Sequence, residues 1–444
     1  MNKNISHYDE TIYNEPYIVK DGCLYEQVPA KDQLVDVKLA DFVPILKAEI
    51  THDDGIEQKK LFRVAATYKT GIVLPEQTVS ADEMQTMRWL LQRWGQYGAV
   101  VPKQNVLSKI CHAIMLTKQE VRNETVYAQT GWRKINGEWV FLMPRANSEY
   151  TVELQGKLNS YSFTQPCDKE NLFYLTAMLD SSFAPQSVLL PLLSVAFLSP
   201  LNHFLKIAGY EPKFVTALIG KTGSRKSTLA ALFLSFFGRF TASDLPMSFH
   251  DTANSILSNV YYLKDVLTSI DDFHPSGMFH EHEMRSIAQN ISRYYGDRIG
   301  RARLNTKAEL QTSRPPTGNA IITAEYAPEI SMSGTARYFI IELCENDVKL
   351  FELSEYQRLA EQNVLSGMMM RYVDWLKRVY LTDEAEFVKV LSEMFLRYRS
   401  EFLSKLTSIK IKFHNRTPDM LAHLKIGFAF LLVFMQTHEQ ITER

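Results

Sequence analysis

The sequence predicts an α/β core with a largely parallel sheet, preceded by an α+β region and followed by a helical region. From about residue 170, short apolar strands alternate with helices, and a glycine-containing turn joins a strand to a helix near residue 220. From Ser354 the pattern is helical almost to the end of the chain. Such alternation is typical of a parallel sheet with helices on both faces. We therefore expect three domains, at residues 1–165, 166–350 and 351–444.

Turn signals and a capping box define the elements of the first region. Apolar runs flank the turns at residues 20–22 (Lys-Asp-Gly), 53–55 (Asp-Asp-Gly) and 136–137 (Asn-Gly), which predicts three β-hairpins. Ser80, with Glu83 three residues later, predicts the start of a helix that continues through Trp94. A second helix is expected from Val106 to Thr117.

Composition narrows the class of protein. The 444 residues are 45% hydrophobic and 22% charged, with a formal net charge of -1. This profile is globular rather than disordered or fibrous. The balanced charge excludes a uniformly basic surface for nucleic acid. A local basic element stays compatible with it, because net charge averages over all faces.

Cysteine spacing and apolar runs indicate a cytoplasmic protein without a membrane span. The four cysteines form no CxxC pair, so neither a zinc ribbon nor a disulfide framework is expected, and a reducing compartment fits. The apolar runs at 188–198 and 426–435 are shorter than the ~20 residues of a membrane span, which favours buried core helices. The polar N-terminus predicts no signal peptide.

A glycine-containing turn at residues 220–228 predicts a phosphate-binding loop (P-loop). It follows an apolar strand, residues 214–219, and opens an apolar helix, residues 227–237, which is the context that a P-loop requires. Its backbone N–H groups would wrap a nucleotide phosphate. Lys226 would reach the β- and γ-phosphates, and the Ser227 hydroxyl would bind Mg²⁺. The motif comprises Gly220, Lys221, Thr222, Gly223, Ser224, Arg225, Lys226, Ser227 and Thr228.

Arg225 departs from the usual P-loop pattern, which has glycine before the lysine. A side chain is tolerated there if the residue has a negative φ, since only a positive φ requires glycine. The alternative interpretation of the whole motif is a strand-to-helix turn that binds no nucleotide.

Asp271 and Asp272 end an apolar run, residues 266–270, about 45 residues after Lys226. An acidic pair at the end of a neighbouring strand is what a P-loop site needs. We expect Asp271 to hold Mg²⁺ and Asp272 to polarise the attacking water as general base. Alternatively, the pair is a polar strand end that caps the next turn.

A local basic segment lies at residues 298–314. Five cations against Glu309 give it a net charge of +4, and its alternation predicts a β-hairpin with Lys307 near the tip. Such a hairpin can bind DNA phosphates without reading bases. The alternative is a solvated surface hairpin. The cations are Arg298, Arg301, Arg303, Lys307 and Arg314.

The order of these motifs, followed by a core strand and then Gly-Thr-Ala-Arg337-Tyr-Phe, resembles AAA+ ATPases of the pre-sensor-1 hairpin type. It is most similar to the MCM-like helicases of staphylococcal cassette chromosomes and related phage and mobile elements. In that family alanine commonly precedes the P-loop lysine, which fits the missing glycine at Arg225. The resemblance covers about residues 170–444, and the preceding region is also similar.

The resemblance implies an AAA+ core with a helical lid that binds ATP and Mg²⁺ and assembles into a ring, expected to be a hexamer. Four residues would act in cis, on the ATP bound to their own subunit: Lys226, Ser227, Asp271 and Asp272. Arg337 would act in trans as the arginine finger, unless it forms a surface or core-edge salt bridge. Sensor 1 would fall near Thr323 or Asn319, and Arg416 loosely resembles a sensor-2 arginine. Arg301, Arg303 and Lys307 would contact DNA.

The expected activity is that of a DNA helicase in replication of a mobile element. It would act on single-stranded or forked DNA without sequence preference, alongside other replication proteins of the element. Two alternatives stay open: an ATPase that remodels or loads a replication protein, and a nucleotide-gated assembly protein without productive turnover. Stimulation of ATP hydrolysis by DNA separates these three functions.

Overall fold

The computed structural model divides the chain into two compact units, one up to Tyr127 and the other from Ala128 onward. The segment 128–165, assigned to the first domain from sequence, groups with the second unit. The expected boundaries at 165/166 and 350/351 stay predictions of functional domains. The structure describes residues 12–31, 33–146, 148–180, 183–274, 278–300, 312–328, 332–410 and 412–438.

Within residues 12–31 and 33–127, the first unit contains two sheets and three short α-helices. The first sheet is antiparallel, with the order β1 (Tyr17–Lys20), β2 (Cys23–Ala30) and β3 (Gln33–Ala40). In the second sheet β4 (Phe42–Asp53) pairs with β5 (Gln58–Tyr68) and with β7 (Arg122–Tyr127), and β5 pairs with β6 (Val73–Ser80). The helices are α1 (Ala81–Thr86), α2 (Trp89–Trp94) and α3 (Val106–Met115).

All three predicted hairpins are present, as β1–β2, β4–β5 and β8–β9 (Gly131–Ile135 and Glu138–Leu142). The predicted capping box is also present, because Ser80 and Glu83 exchange side-chain to backbone hydrogen bonds. The helix that Ser80 opens is shorter than predicted. It ends at Thr86 because Met87 adopts a left-handed conformation with φ of 51°, and α2 begins two residues later.

A five-stranded parallel sheet forms the centre of the second unit, as the sequence predicts. Its order is β12 (Met247–Ser248), β13 (Leu267–Phe273), β14 (Asn319–Ala324), β11 (Val215–Ile219) and β15 (Tyr338–Glu342). Every residue of β14 is buried. Continuous burial is expected of a strand inside a parallel sheet whose two faces carry helices. The carboxyl ends of β11, β13 and β14 therefore share one edge of the sheet.

Helices surround this sheet and continue to the end of the described chain. Before and between the strands the structure has α4 (Phe173–Asp180), α5 (Gln186–Leu198), α6 (Asn202–Ile207), α7 (Lys226–Leu234), α8 (Ala253–Tyr262), α9 (Met278–Asp297) and α10 (Met332–Thr335). After β15 come α11 (Leu350–Glu361), α12 (Val364–Tyr380), α13 (Glu384–Ser408) and α14 (Thr417–Thr437). A short strand, β10, spans Thr151–Val152.

Residues 128–165 join the core of this unit through two aromatic side chains. Trp132 and Tyr161 are buried in the same apolar cluster as Leu218 of β11. Trp132 Nε1 donates to the Pro200 carbonyl at 2.7 Å, and the Tyr161 hydroxyl donates to the Leu267 carbonyl at 3.1 Å. The shift in apolar pattern near residue 170 gave no sign of this packing.

Two helical segments, Gln186–Ile207 and Thr417–Thr437, are long and apolar enough to cross a membrane. In each, most of the apolar window is buried inside the protein, 83% and 56% respectively. A Cβ on Gly427 would lie 2.2 Å from the Ser194 carbonyl oxygen, so α14 crosses α5 in direct backbone contact. Core helices pass the same length and composition test, so these segments are weak grounds for a membrane protein.

Candidate nucleotide site

The predicted P-loop joins β11 to α7 at the carboxyl edge of the parallel sheet. Gly220 is required by close approach, since a Cβ there would lie 2.3 Å from the Leu343 carbonyl oxygen. Gly223 is required by its φ of 87°. Ser224 folds the turn back on itself, because its hydroxyl donates to the Lys221 carbonyl at 2.8 Å. Helix α7 begins at Lys226, which places its N-terminal N–H groups at the loop.

The Lys226 ammonium group lies over this loop. It donates to the carbonyl oxygens of Gly220 and Lys221 at 2.6 and 2.9 Å. Burial lowers the pKa of Lys226, although the carboxylates of Glu325, Asp271 and Asp272 act in the opposite direction. The Lys226 ammonium group therefore lies beside the N-terminus of α7, where a phosphate would bind.

Arg225 has a φ of 70° and a ψ of 26°, which is the left-handed conformation. The negative φ under which a side chain would be tolerated at this position is therefore not observed. The loop keeps the geometry that glycine usually supplies, and the arginine carries the conformational cost of about 1–2 kcal/mol. Sequence alone could not show this, because arginine is rarely found with a positive φ.

Ser227, Asp271 and Thr323 form one hydrogen-bonded group beside the loop. The hydroxyls of Ser227 and Thr323 both donate to Asp271 Oδ1, at 2.8 and 2.5 Å. Thr323 Oγ1 also accepts from the Asp272 backbone N–H at 2.9 Å. Three elements, α7, β13 and β14, therefore meet at one carboxylate. These oxygen donors fit a hard cation such as Mg²⁺.

Asp272 is placed differently from its neighbour. Its φ is 67°, and its side chain is 58% exposed with Oδ2 lying 3.2 Å from His250 Nε2. Asp272, Lys226 and Thr323 line a cavity of about 260 Å³ next to the loop. The structure thus brings the second aspartate to the predicted site, on its solvent side.

Sequence reasoning missed Glu325 and gave no role to His274. Glu325 follows the carboxyl end of β14, lines the same cavity, and accepts a hydrogen bond from Thr222 of the P-loop. Its other oxygen lies 2.7 Å from His274 Nδ1. No known sequence motif includes a glutamate two residues after Thr323. The sequence signal that could have found Glu325 is its position directly after a predicted core strand, at the edge where the parallel strands end.

Arg337 and Arg416 lie together, at the other end of β11. The Val215 N–H donates to the Arg337 carbonyl at 2.9 Å, and Val215 begins the strand that ends at the P-loop. The length of β11 separates this end from the loop by roughly 16 Å. Arg416 donates to the Gly296 carbonyl at 2.9 Å, and its Nη2 lies 3.4 Å from Asp297. The structure does not bring the two arginines to the P-loop of the same chain.

The two candidates for sensor 1 are at opposite ends of β14. Thr323 is at the P-loop edge, where it bonds Asp271. Asn319 begins the strand, is buried, and donates to Ser199 Oγ at 3.1 Å. Of the two, Thr323 alone reaches the site.

The predicted basic hairpin can be followed only at its ends, since Arg301, Arg303 and Lys307 lie outside the described residues. Arg298 is buried and donates to the carbonyls of Pro212, Pro316 and Gly318. The Arg314 guanidinium lies 4.9 Å from the centre of the Tyr261 ring. Arg298 contributes to the net charge of the segment but adds no cation to its surface, because a charge count carries no information on burial.

Comparison with solved structures shows a shared fold. A structure described as "SCCmec type IV Cch - active helicase" has a TM-score of 0.56 at 15% identity, covering 98% of this chain and 76% of that one. A JCV helicase (TM-score 0.25, 18% identity, 58% and 72% coverage) and the NrS-1 C-terminal region (0.27, 10%, 85% and 86%) also match.

At the sequence level, no curated protein matches the chain. One family does match, described as "Domain of unknown function (DUF927)", over residues 43–314. This match spans more than half of the chain and includes the P-loop, both aspartates of the acidic pair and Arg298. The chain therefore belongs to the DUF927 family.

Proposed function

We propose that this protein is an AAA+ ATPase that works as an MCM-like DNA helicase, assembled as a hexameric ring, in replication of a mobile genetic element. The observation that carries the proposal is the meeting of Lys226, Ser227, Asp271 and Thr323 at the carboxyl edge of the sheet. A P-loop lysine beside a hydroxyl and a carboxylate from the neighbouring strand is the arrangement that nucleoside triphosphatases use.

In this site each side chain has a separate task. Lys226 would leave the loop carbonyls to pair with the β- and γ-phosphates. Ser227 and Asp271 would hold Mg²⁺, which supplies positive charge to the phosphates when bound. Thr323 would keep the Asp271 carboxylate fixed, since its hydroxyl bonds that carboxylate and the next backbone N–H.

The positions of Arg337 and Arg416 support the proposed ring. Both are at the far end of β11 from their own P-loop, so a nucleotide that they contact would belong to a neighbouring subunit. A trans-acting arginine that stabilises the transferring phosphoryl group can raise the rate by ~10³–10⁵. Arg337 would perform this task. Arg416 would support it on the neighbouring subunit's nucleotide, and would not act in cis as a sensor-2 arginine.

DNA binding is assigned to Arg301, Arg303 and Lys307. These cations follow Arg298, whose buried guanidinium anchors the start of the segment to the core. Contacts to phosphates would bind single-stranded or forked DNA without sequence preference and would weaken as salt increases. Other replication proteins of the element are expected partners, and the cytoplasm is the expected location.

A second function, a nucleotide-gated assembly protein, is favoured by one observation. Asp272 is largely exposed and engages His250, which leaves this aspartate poorly placed to activate water. Such a protein would bind ATP and oligomerise without releasing phosphate.

The test measures ATP hydrolysis with and without single-stranded DNA, together with strand displacement on a forked duplex. The helicase proposal expects DNA-stimulated hydrolysis and displacement, both abolished by Lys226→Ala. Lys405→Ala, which removes an exposed cation paired with Glu401, is the matched control and should change neither. ATP hydrolysis that single-stranded DNA does not stimulate would favour a remodelling ATPase. ATP binding without phosphate release would favour the nucleotide-gated assembly protein.

A further inference from the structure

Glu325 is a third carboxylate beside the P-loop, in addition to Asp271 and Asp272. It lies just beyond β14, the strand between the P-loop strand β11 and the aspartate strand β13. Thr222, the third residue of the loop, donates its hydroxyl hydrogen bond to Glu325. A glutamate here reaches over the loop from the middle of the three strands that form the site.

The two carboxylates that could activate water are unequally placed. The Asp272 side chain is 58% exposed and lies 3.2 Å from His250 Nε2, whereas the Glu325 side chain is 27% exposed and contacts the loop itself. Both carboxylates line the same cavity as Lys226, and Glu325 is the one that bonds to the P-loop.

His274 gives Glu325 a fixed orientation. Its Nδ1 lies 2.7 Å from one oxygen of the glutamate, while Thr222 engages the other. A carboxylate held at both oxygens has little freedom to rotate. Preorganisation of this kind is what a general base needs, because proton transfer requires hydrogen-bond reach to the attacking water.

We propose that Glu325, positioned by His274, is the general base for ATP hydrolysis at this site. The inference rests on the proposed ATPase function. In the step, the water oxygen bonds to the γ-phosphorus while a water proton passes to the Glu325 carboxylate. The bond from the γ-phosphorus to the β–γ bridging oxygen breaks, and its electron pair leaves with ADP. Inorganic phosphate is the second product, and the proton then leaves Glu325 for solvent.

The experiment compares Glu325→Gln with Asp272→Asn in the full chain. Two quantities are measured, phosphate release at saturating ATP and equilibrium binding of a fluorescent ATP analogue. Glu325→Gln should lower the turnover rate about 100-fold or more, the usual worth of a general base, with analogue affinity unchanged within about threefold. Asp272→Asn should lower turnover less than about tenfold. Glu355→Gln, at an exposed surface pair with Arg358, is the matched control.

The outcomes are separable. A larger loss of turnover in Asp272→Asn than in Glu325→Gln overturns the inference and restores the aspartate as base. A wild-type chain that neither binds the analogue nor hydrolyses ATP, or in which Lys226→Ala changes nothing, refutes the ATPase proposal instead.

His274 is tested as a positioning residue by conservative rescue. His274→Ala should lower turnover at least tenfold without weakening analogue binding. His274→Asn keeps an N–H near the Nδ1 position and should restore a large part of the lost rate. Equal losses in both variants, or a loss that appears in binding and not in turnover, would contradict the positioning role.

Discussion

The Arg337 guanidinium is clamped by Asp297, with Nη2 donating to both carboxylate oxygens at 2.8 and 3.0 Å. Burial acts to raise the pKa of Asp297, but Arg337 and Arg416 outweigh it and hold that pKa below its usual range. Asp297 therefore stays charged and holds both arginines at one place. In the proposed ring, this cluster faces the nucleotide of the next subunit.

Mixing two inactive variants tests that arrangement. Arg337→Ala alone should reduce ATP hydrolysis by ~10³-fold or more, because the transferring phosphoryl group loses its trans-acting cation. Lys226→Ala alone should also be inactive. Mixed oligomers would contain interfaces that pair an intact P-loop with an intact arginine, so partial hydrolysis should return when the two proteins are combined before assembly.

Arg358→Ala, at an exposed helical pair, is the control for Arg337 and should leave hydrolysis unchanged. Absence of any recovery on mixing, with assembly shown to occur by light scattering, would mean that Arg337 does not act across subunits.

Thr323 offers a test of the link between β13 and β14. Thr323→Val keeps the shape of the side chain but removes the hydroxyl that donates to Asp271 and accepts from the Asp272 N–H. Leaving such partners unsatisfied costs roughly 1–3 kcal/mol. We expect weaker Mg²⁺-dependent ATP binding, measured by titration calorimetry, and a lower melting temperature.

Thr323→Ser retains the hydroxyl and should behave much like wild type in both measurements. If Thr323→Val behaves like wild type while Thr323→Ser is impaired, the packing of the methyl group and not the hydrogen bonds would explain the role of Thr323.

The parts of this fold that sequence could predict are those set by local pattern. Alternating apolar strands and helices predict the parallel sheet, and glycines with Lys226 and Ser227 predict the turn at its edge. The missed features depend on groups distant in sequence. Glu325 meets Thr222 across 103 residues, and Arg298 is buried by carbonyls from both sides of the segment that follows it. No rule based on sequence spacing predicts such contacts.

Arg225 provides a prediction on stability. Its φ of 70° is unfavourable for any residue with a Cβ and free for glycine. Arg225→Gly should therefore raise the free energy of unfolding by about 0.5–1 kcal/mol, measured by urea denaturation. Arg225→Ala keeps the unfavourable conformation and should give no such gain. Equal stability of the glycine and alanine variants would show that the backbone relaxes at this position.

The buried carboxyl group of Asp265 makes the free energy of unfolding depend on pH. It is 2% exposed, its Oδ2 accepts from the Trp132 N–H at 3.0 Å, and burial raises its pKa to about 7. In the unfolded chain the group titrates near its ordinary value of 3.8. Between these values the folded state holds a proton that the unfolded state has lost, so stability falls as pH rises from about 4 to 7 and is flat above that.

Asp265→Asn removes this titration and keeps an oxygen for the Trp132 N–H. Relative to wild type, its free energy of unfolding should increase with pH over the same window, by an amount on the order of a few kcal/mol. Thermal denaturation at pH 5 and pH 8 measures the difference, with the exposed Asp244→Asn as control. A constant offset between Asp265→Asn and wild type at the two pH values would mean that Asp265 is ionised in the folded protein at both, with the Trp132 N–H outweighing burial.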